Sequence, residues 1–434
     1  MRTEKIIPKT INTSILVSIN LSLTFWCSTC WAAESVDRIA IEILKSHPRI
    51  EAARREHDSA AAKVQEIHRR LWRPNISISK ELGQQQFSTE SITSPWRDAE
   101  RRNIRGTQLL YDFNGANWQV QEQQAVALQA EAVAKATEEA VLLEILTAHW
   151  SMVRARLALD IAQRNEASVR NLTTMENSLV ELGKGYESNV LQAKVQLAAA
   201  EARRIRAEGA LDIAQARINA LFADSAKRVQ FNEVAVVSLN QLPKSLEAAL
   251  EAAMQSNQQL MVGIHRSQAL MHRLSSSEVR EARPKLETTI EMGQRKNWDS
   301  AIDNARVNDK KALLQLRWDF NAAGASISAS TAIRNDLEAS QLREAEAKQL
   351  VQEQVTIAWR NMTIARQNQA ILANQVRIAA KFFELATAER QFGRRSLLDV
   401  LTAEVALTTA MSDLASTEVD AAIAALTLLQ STGR

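Results

Sequence analysis

Two stretches of this 434-residue chain run for about 70 residues each without glycine or proline, from Gly115 to Gly183 and from Gly324 to Gly393. These are the residue types that interrupt helices. Alanine, leucine, glutamine, glutamate and arginine fill both stretches, and their side chains lose little rotamer freedom in a helix. Each stretch predicts a helix of about 100 Å, far longer than an ordinary globular domain uses. In the first, Leu143, Leu146, Trp150, Val153 and Leu157 recur at spacings of three and four, as a coiled-coil seam does. In the second, Val355, Trp359, Met362, Leu372 and Val376 take that part.

The two stretches belong to a larger repeat with a period of about 210 residues. Ser46-His47-Pro48-Arg49-Ile50 lines up with Ser256-Asn257-Gln258-Gln259-Leu260, Arg73-Pro74 with Arg283-Pro284, and Asp112-Phe113-Asn114 with Asp319-Phe320-Asn321. Trp150 falls on Trp359, and Leu182-Gly183-Lys184 falls without gaps on Phe392-Gly393-Arg394. The expected units are 34–235 and 236–434, each a short helix, two strands, a long helix and a second short helix. Short helices are expected from Ser35 to Leu71, Ser188 to Leu221, Ser245 to Arg280 and Ser396 to Leu429. Two of them end to end match one long helix, a sensible plan for an even-walled cylinder.

Strands are expected between the first short helix and the long one. Ile76 and Ile78 alternate with serines. Leu109, Tyr111 and Phe113 share a parity, and so do Leu314, Leu316, Trp318 and Phe320. Apolar and polar faces in period two suit a barrel wall between lipid and water. They also suit a soluble hairpin on a core. The polar connections Gly83 to Asn103 and Gly293 to Asp309 suit extracellular loops. Four strands cannot close a barrel; three copies would supply twelve, by symmetry.

The first residues read as a secretory leader over 1–33. Arg2, Lys5 and Lys9 precede an apolar run from Ile15 to Phe25, and Ala32 or Ala33 offers a cleavage site. Cys27 and Cys30 both fall inside it, so the mature chain would hold no disulfide. The residues before each cysteine fit a lipoprotein signal poorly. No apolar run of about 18 residues follows, so a membrane-spanning part would be built of strands. The 53 basic and 50 acidic residues nearly balance, which gives no reason to expect a nucleic-acid partner. His265 and His272 are the nearest approach to a metal pair and read as helix surface. No phosphate loop or nucleophile elbow appears, so no cofactor and no catalysis are expected. Arg203-Arg204-Ile205-Arg206 reads as helix surface.

The stretch Phe392-Gly393-Arg394-Arg395-Ser396-Leu397-Leu398-Asp399-Val400-Leu401 resembles the periplasmic-tip signature of the TolC family of outer-membrane channels. The Ser-His-Pro-Arg-Ile opening, the Arg-Pro before each first strand and Leu-Tyr-Asp-Phe-Asn after the second strand support the resemblance. It covers essentially the whole mature chain. It implies a mainly α fold with a small β part: a homotrimer with a twelve-stranded barrel, four strands per chain, in outer-membrane lipid. A long α-helical barrel would continue it into the periplasm. Partners would be a periplasmic adaptor and an inner-membrane ABC transporter or other pump.

The resemblance assigns Asp399 and Arg395 to an entrance gate, with Thr402 where a second aspartate often stands. Alternatively, Asp399 and Ser396 cap the helix after Gly393. The adaptor would meet the tips at Gly183, Lys184, Gly185 and Tyr186, and at Gly393, Arg394 and Ser396. Ile76, Ile78, Leu109, Tyr111, Phe113, Leu314, Leu316, Trp318 and Phe320 would face lipid. The Arg-Ser-Leu-Leu-Asp-Val-Leu wording favours a type I secretion channel for a large unfolded polypeptide, such as an adhesin or repeat toxin. The alternatives are the exit duct of a drug or metal efflux pump, and a periplasmic coiled-coil scaffold without a barrel.

Overall fold

The computed structural model describes residues 43–90, 92–222, 242–298, 304, 306–318 and 325–433. The expected leader and Phe320 lie outside these residues. The first unit contains α1 (Pro48–Trp72), β1 (Asn75–Gln85), β2 (Arg97–Tyr111), α2 (Gly115–Glu181) and α3 (Glu187–Phe222). The second contains α4 (Leu246–Ser256), α5 (Gln258–Ala282), β3 (Lys285–Lys296), β4 (Arg306–Arg317), α6 (Ala325–Gln391) and α7 (Leu397–Ser431). Both long helices have 67 residues.

The expected first short helix of each unit is interrupted at matching places. Residues 43–46 are helical, but His47 is extended. Pro48 disfavours a helical residue before it, and the His47 ring accepts the Arg49 N–H. In the second unit Asn257 breaks α4 from α5 with ψ 120, and its side chain accepts the Leu260 N–H at 3.1 Å. The Asn257 amide also donates to the Ser431 carbonyl at 2.9 Å. The end of α7 therefore rests on the start of α5, and two short helices run end to end beside α6. The first unit makes the same joint with apolar groups, because Ile43 and Ile50 share one cluster with Ile218 and Phe222.

One order of neighbours recurs at three levels. The sheet runs β1-β2-β3-β4, antiparallel throughout, with β1 and β4 as free edges. In the upper helical part the order is α1, α2, α5, α6; below it is α3, α2, α7, α6. The wall is one helix thick, so α2 has neighbours on two flanks and buries two rows. Val141, Ile145, Ala148 and Met152 pack on Ile218 and Phe222. Trp150 and Val153 are buried as well. Of the seam expected from Leu143 to Leu157, only Trp150 and Val153 are buried; Leu146 packs against the cluster of Val141 and Ile145 instead, and Leu143 and Leu157 are half-buried. On α6, Val351, Val355, Ala358 and Met362 pack with Ala425 and Leu428 of α7.

Candidate functional site

At the lower end both hairpins turn by the same device. The Gly183 N–H donates to Val180 O and the Lys184 N–H to Leu179 O, at 2.9 and 2.8 Å. Gly393 and Arg394 repeat this with Arg390 O and Glu389 O, both at 2.9 Å. This bond pair is the Schellman helix end, which needs a left-handed residue after the cap. Both glycines have φ +70, with open space where a Cβ would stand, so backbone conformation alone demands glycine. Gly185 has a different constraint: a Cβ there would lie 2.9 Å from the Val180 nitrogen. Tyr186, Lys184 and Arg394 are exposed at the tips.

The gate pair does not meet within one chain. The Ser396 hydroxyl accepts the Asp399 N–H at 3.2 Å and caps α7, while the Asp399 side chain is exposed. The Arg395 guanidinium pairs with Glu389 at 2.9 Å and lies 5.3 Å from the centre of the Phe382 ring. The Thr402 hydroxyl donates to Leu398 O on its own helix.

A stronger pair sits just above. Arg390 donates through Nη2 to both oxygens of Glu176, at 2.7 and 2.9 Å, and through Nε to Oε1 at 3.1 Å. Glu176 is fully buried. The Arg390 Nη1 also donates to the Arg395 carbonyl at 3.1 Å, so one guanidinium joins the first hairpin to the second tip. Further up, the Asn165 amide donates to Glu404 and Thr408, both at 3.0 Å, and accepts from Arg203 at 3.0 Å. This network ties α2, α3 and α7 together, and burial raises the Glu404 carboxyl above its ordinary range. Arg203 and Arg204, expected as plain helix surface, serve instead to hold α2: Arg204 reaches Glu166 at 2.6 Å.

At the upper end the strand register sorts side chains onto two faces. Ile76, Gly106, Ile290 and Ala312 form one row across the four strands, and Ile78, Ile104, Met292 and Lys310 form the row two residues on. Leu286 is opposite Tyr111 on one side and Leu316 on the other. This face carries Ile76, Ile78, Tyr111, Leu314 and Leu316, all exposed in the single chain. Leu82, Ile104, Ile290 and Met292 extend it.

Leu109 departs from the expectation. A bulge at Leu110 pairs Leu109 with Glu287 but Tyr111 with Leu286, so the two stand on opposite faces. An extra residue in one strand reverses the parity beyond it. Phe113 lies past the strand, in a turn where it and Asn114 have φ 53 and 78. There the Asp112 carboxylate accepts the Ala116 N–H at 2.6 Å and starts α2. Phe113 packs on Tyr111 at 4.8 Å and beneath Arg283. Trp318 follows β4 and donates from its indole to Glu281 O at 3.5 Å. The other face carries Ser77, Ser79, Arg105 and Glu291.

The sequence matches the family described as Outer membrane efflux protein over residues 40–223 and 249–434. The chain belongs to that family. It is an outer-membrane efflux channel protein of the TolC-like class, placed in the outer membrane and extending into the periplasm. A search of the curated proteins found no match. Among solved structures, the outer-membrane channel OprN superposes with TM-score 0.80 at 17% identity, over 92% of this chain and 90% of that one. The Campylobacter jejuni CmeC outer membrane channel gives TM-score 0.79 at 12% identity, over 99% and 94%. The Vibrio cholerae outer membrane protein VceC gives 0.77 at 15%, over 94% and 99%. At such identities these structures share the fold.

In this channel protein a groove of about 770 Å³ lies between α2, α6, α7 and the start of α5. Asn257, Gln354, Asn361, Asn368, Thr417 and Gln430 line it beside Ile357, Ile364 and Ile423, with two carboxylates, Glu139 and Asp420. Of the other histidines considered, His265 bonds Gln268 and His272 stacks on Trp118 at 5.6 Å. Sequence reading missed Glu176, Arg390, Asn165 and Glu404. Their partners stand some 200 residues away, across the repeat, where no local pattern links them.

Proposed function

We propose that three copies close head to tail into a twelve-stranded barrel and a helical tunnel, exported behind a leader over 1–33. The observation that carries this reading is the shared order of neighbours. Every level ends in the same two open edges, β1 with α1 and α3 on one side, β4 with α6 on the other. Both edges carry unpaired strands or exposed apolar rows, and a cyclic assembly covers both at once. The face with Ile76, Ile78, Tyr111, Leu314, Leu316 and Trp318 would meet lipid. At the lower end three copies of Asp399 would ring the axis, repel one another and favour cations. Arg395, released from Glu389, would be their counter-charge. The tips around Gly183 to Tyr186 and Gly393 to Ser396 would receive a periplasmic adaptor coupled to an inner-membrane pump.

Within this duct the cargo is a large unfolded polypeptide, passed in one step by a type I secretion system with an ABC transporter. One feature supports this. The tip wording Arg395-Ser396-Leu397-Leu398-Asp399-Val400-Leu401 resembles the secretion branch. The second reading is the exit duct of a drug or metal efflux pump, which the family's description favours. Secreted and surface proteins are compared between the parent strain and one lacking this gene, with drug susceptibility on the same cultures. Loss of one very large protein with susceptibility unchanged is expected. Unchanged secretion with raised susceptibility assigns the duct to efflux.

A further inference from the structure

The apolar face of the sheet stops abruptly toward the hairpin loops, and cations take its place. Lys80 is opposite Arg102 in the row above Ile78 and Ile104. Lys310 is opposite Met292, and Lys296 is opposite both Glu100 and Arg306. From Trp318 to Lys310 the strand runs about 26 Å along its own axis, and a barrel tilt of about 40° leaves roughly 20 Å of height, a little under the roughly 25 Å of an outer-membrane apolar band. The belt therefore stands at the border where hydrocarbon gives way to head groups, on the loop side away from the helices.

Both faces carry charge toward the loops. On the polar face Arg295 pairs with Asp309 at 2.6 Å, Arg105 with Glu291 at 3.3 Å and Lys285 with Glu287 at 2.9 Å, while Arg101 lies over the Trp298 ring and Lys311 stands opposite Glu291. On the apolar face Glu100 takes both Arg102, at 2.6 Å, and Lys80, at 3.5 Å, and Asp98 accepts from the Gln84 amide at 3.2 Å. That leaves Lys296, Arg306 and Lys310 in excess there among the described residues. A cation beside hydrocarbon is costly unless an anion comes to it. An anion that lives at that border carries its own acyl chains.

We propose that this belt binds the phosphates of a phosphorylated glycolipid of the outer leaflet, with the acyl chains lying on Ile78, Ile104 and Met292. The proposal rests on the barrel reading above. Arginine offers the phosphate paired donors and lysine a mobile point charge, so the belt suits a head group with more than one phosphate. Three copies make the belt continuous around the barrel.

The test uses the full-length assembly in vesicles of phosphatidylcholine containing diphosphoryl lipid A, the monophosphoryl form or phosphatidylglycerol, with lipid retained through purification counted by native mass spectrometry. The variant carries Lys80→Gln, Arg102→Gln, Lys296→Gln, Arg306→Gln and Lys310→Gln. Wild type is expected to retain diphosphoryl lipid A over the other two, and the variant to retain about tenfold less. Equal retention by both proteins, or no preference for the diphosphoryl head group, overturns the proposal. Displacement by millimolar inorganic phosphate overturns it too, because the belt would then read free anion. Insertion into pure phosphatidylcholine vesicles, scored separately by protease protection, distinguishes the two levels. Failure to insert sinks the barrel and the belt together; insertion without phosphate preference sinks the belt alone.

Discussion

Glu139 faces the groove between α2, α6 and α7, and burial lifts its carboxyl from the ordinary 4.5 to about 7, with Glu138 adding to the displacement. Because the folded value lies above the unfolded one, the folded chain holds a proton that the unfolded chain has lost. Stability therefore falls as pH rises from 4.5 to about 7, and the penalty is complete above that. The displacement corresponds to at most about 3 kcal/mol. Glu139→Gln is expected to raise the unfolding midpoint near pH 8 and leave it unchanged near pH 4, measured by thermal denaturation. An equal gain at both pH values would mean Gln packs better and the charge is irrelevant. His149 has the opposite dependence. Burial, with Arg156 adding to it, pushes its ring from 6.5 down to about 4, so stability is lost as pH falls through that window. Sequence could mark Glu138-Glu139 as adjacent carboxylates, but not which one turns toward the groove.

At the scale of elements, the lower ends of the hairpins are joined by a buried ion pair rather than by apolar contact alone. Val169, Leu172, Ala193, Leu397 and Leu401 pack there, and Glu176 with Arg390 spans the same junction. Removing one partner strands a buried charge, which costs about 3–5 kcal/mol, whereas replacing both can be neutral. Arg390→Leu is expected to destabilise by that amount. Glu176→Leu with Arg390→Leu together is expected to recover most of it, read by denaturant titration. A double variant as unstable as the single one would mean that the bond from Arg390 to the Arg395 carbonyl is the larger contribution. The expectation of two matching tips was legible because Gly183 and Gly393 mark both Schellman turns. The tie above them was not, because Glu176 looks like any other helix carboxylate until the second hairpin is set against it.

For the whole molecule, α6 carries Leu350, Ile357, Ile364, Ile371, Ile378 and Leu385 at strict intervals of seven, all exposed in one chain. They lie about 100° round the helix from the buried row of Ala358, Ala365, Ala379 and Ala386. A strict repeat of seven belongs to a left-handed supercoil with a partner. The opposite edge of the protomer, α3, exposes Leu191, Val195, Ile205 and Ile213. Charges placed on the α6 row should therefore block assembly without unfolding the protomer. Ile371→Glu with Ile378→Glu is expected to abolish trimers in crosslinking and gel analysis while leaving helix content unchanged by circular dichroism. Normal trimer yield would remove α6 from the interface and leave the strand edges to close the ring. Both rows were present in the sequence, but apolar residues on a helix do not announce whether their partner is the same chain or another.

The sequence by itself determined what depends on period and on single residues. Long helices followed from the absence of glycine and proline, the tandem plan from landmarks at a nearly constant offset, and the turns from two glycines at matching places. Tertiary structure decided what depends on pairing. Leu109 changes face because β2 has one residue more than β3 opposes, a fact that exists only in the register. The joints at His47 and Asn257 matter because another helix ends against them, as Ser431 does on Asn257. The cation belt is likewise invisible along the chain. Lys80, Arg102, Lys296, Arg306 and Lys310 come from four strands, and only the antiparallel register lays them side by side at the edge of the apolar face.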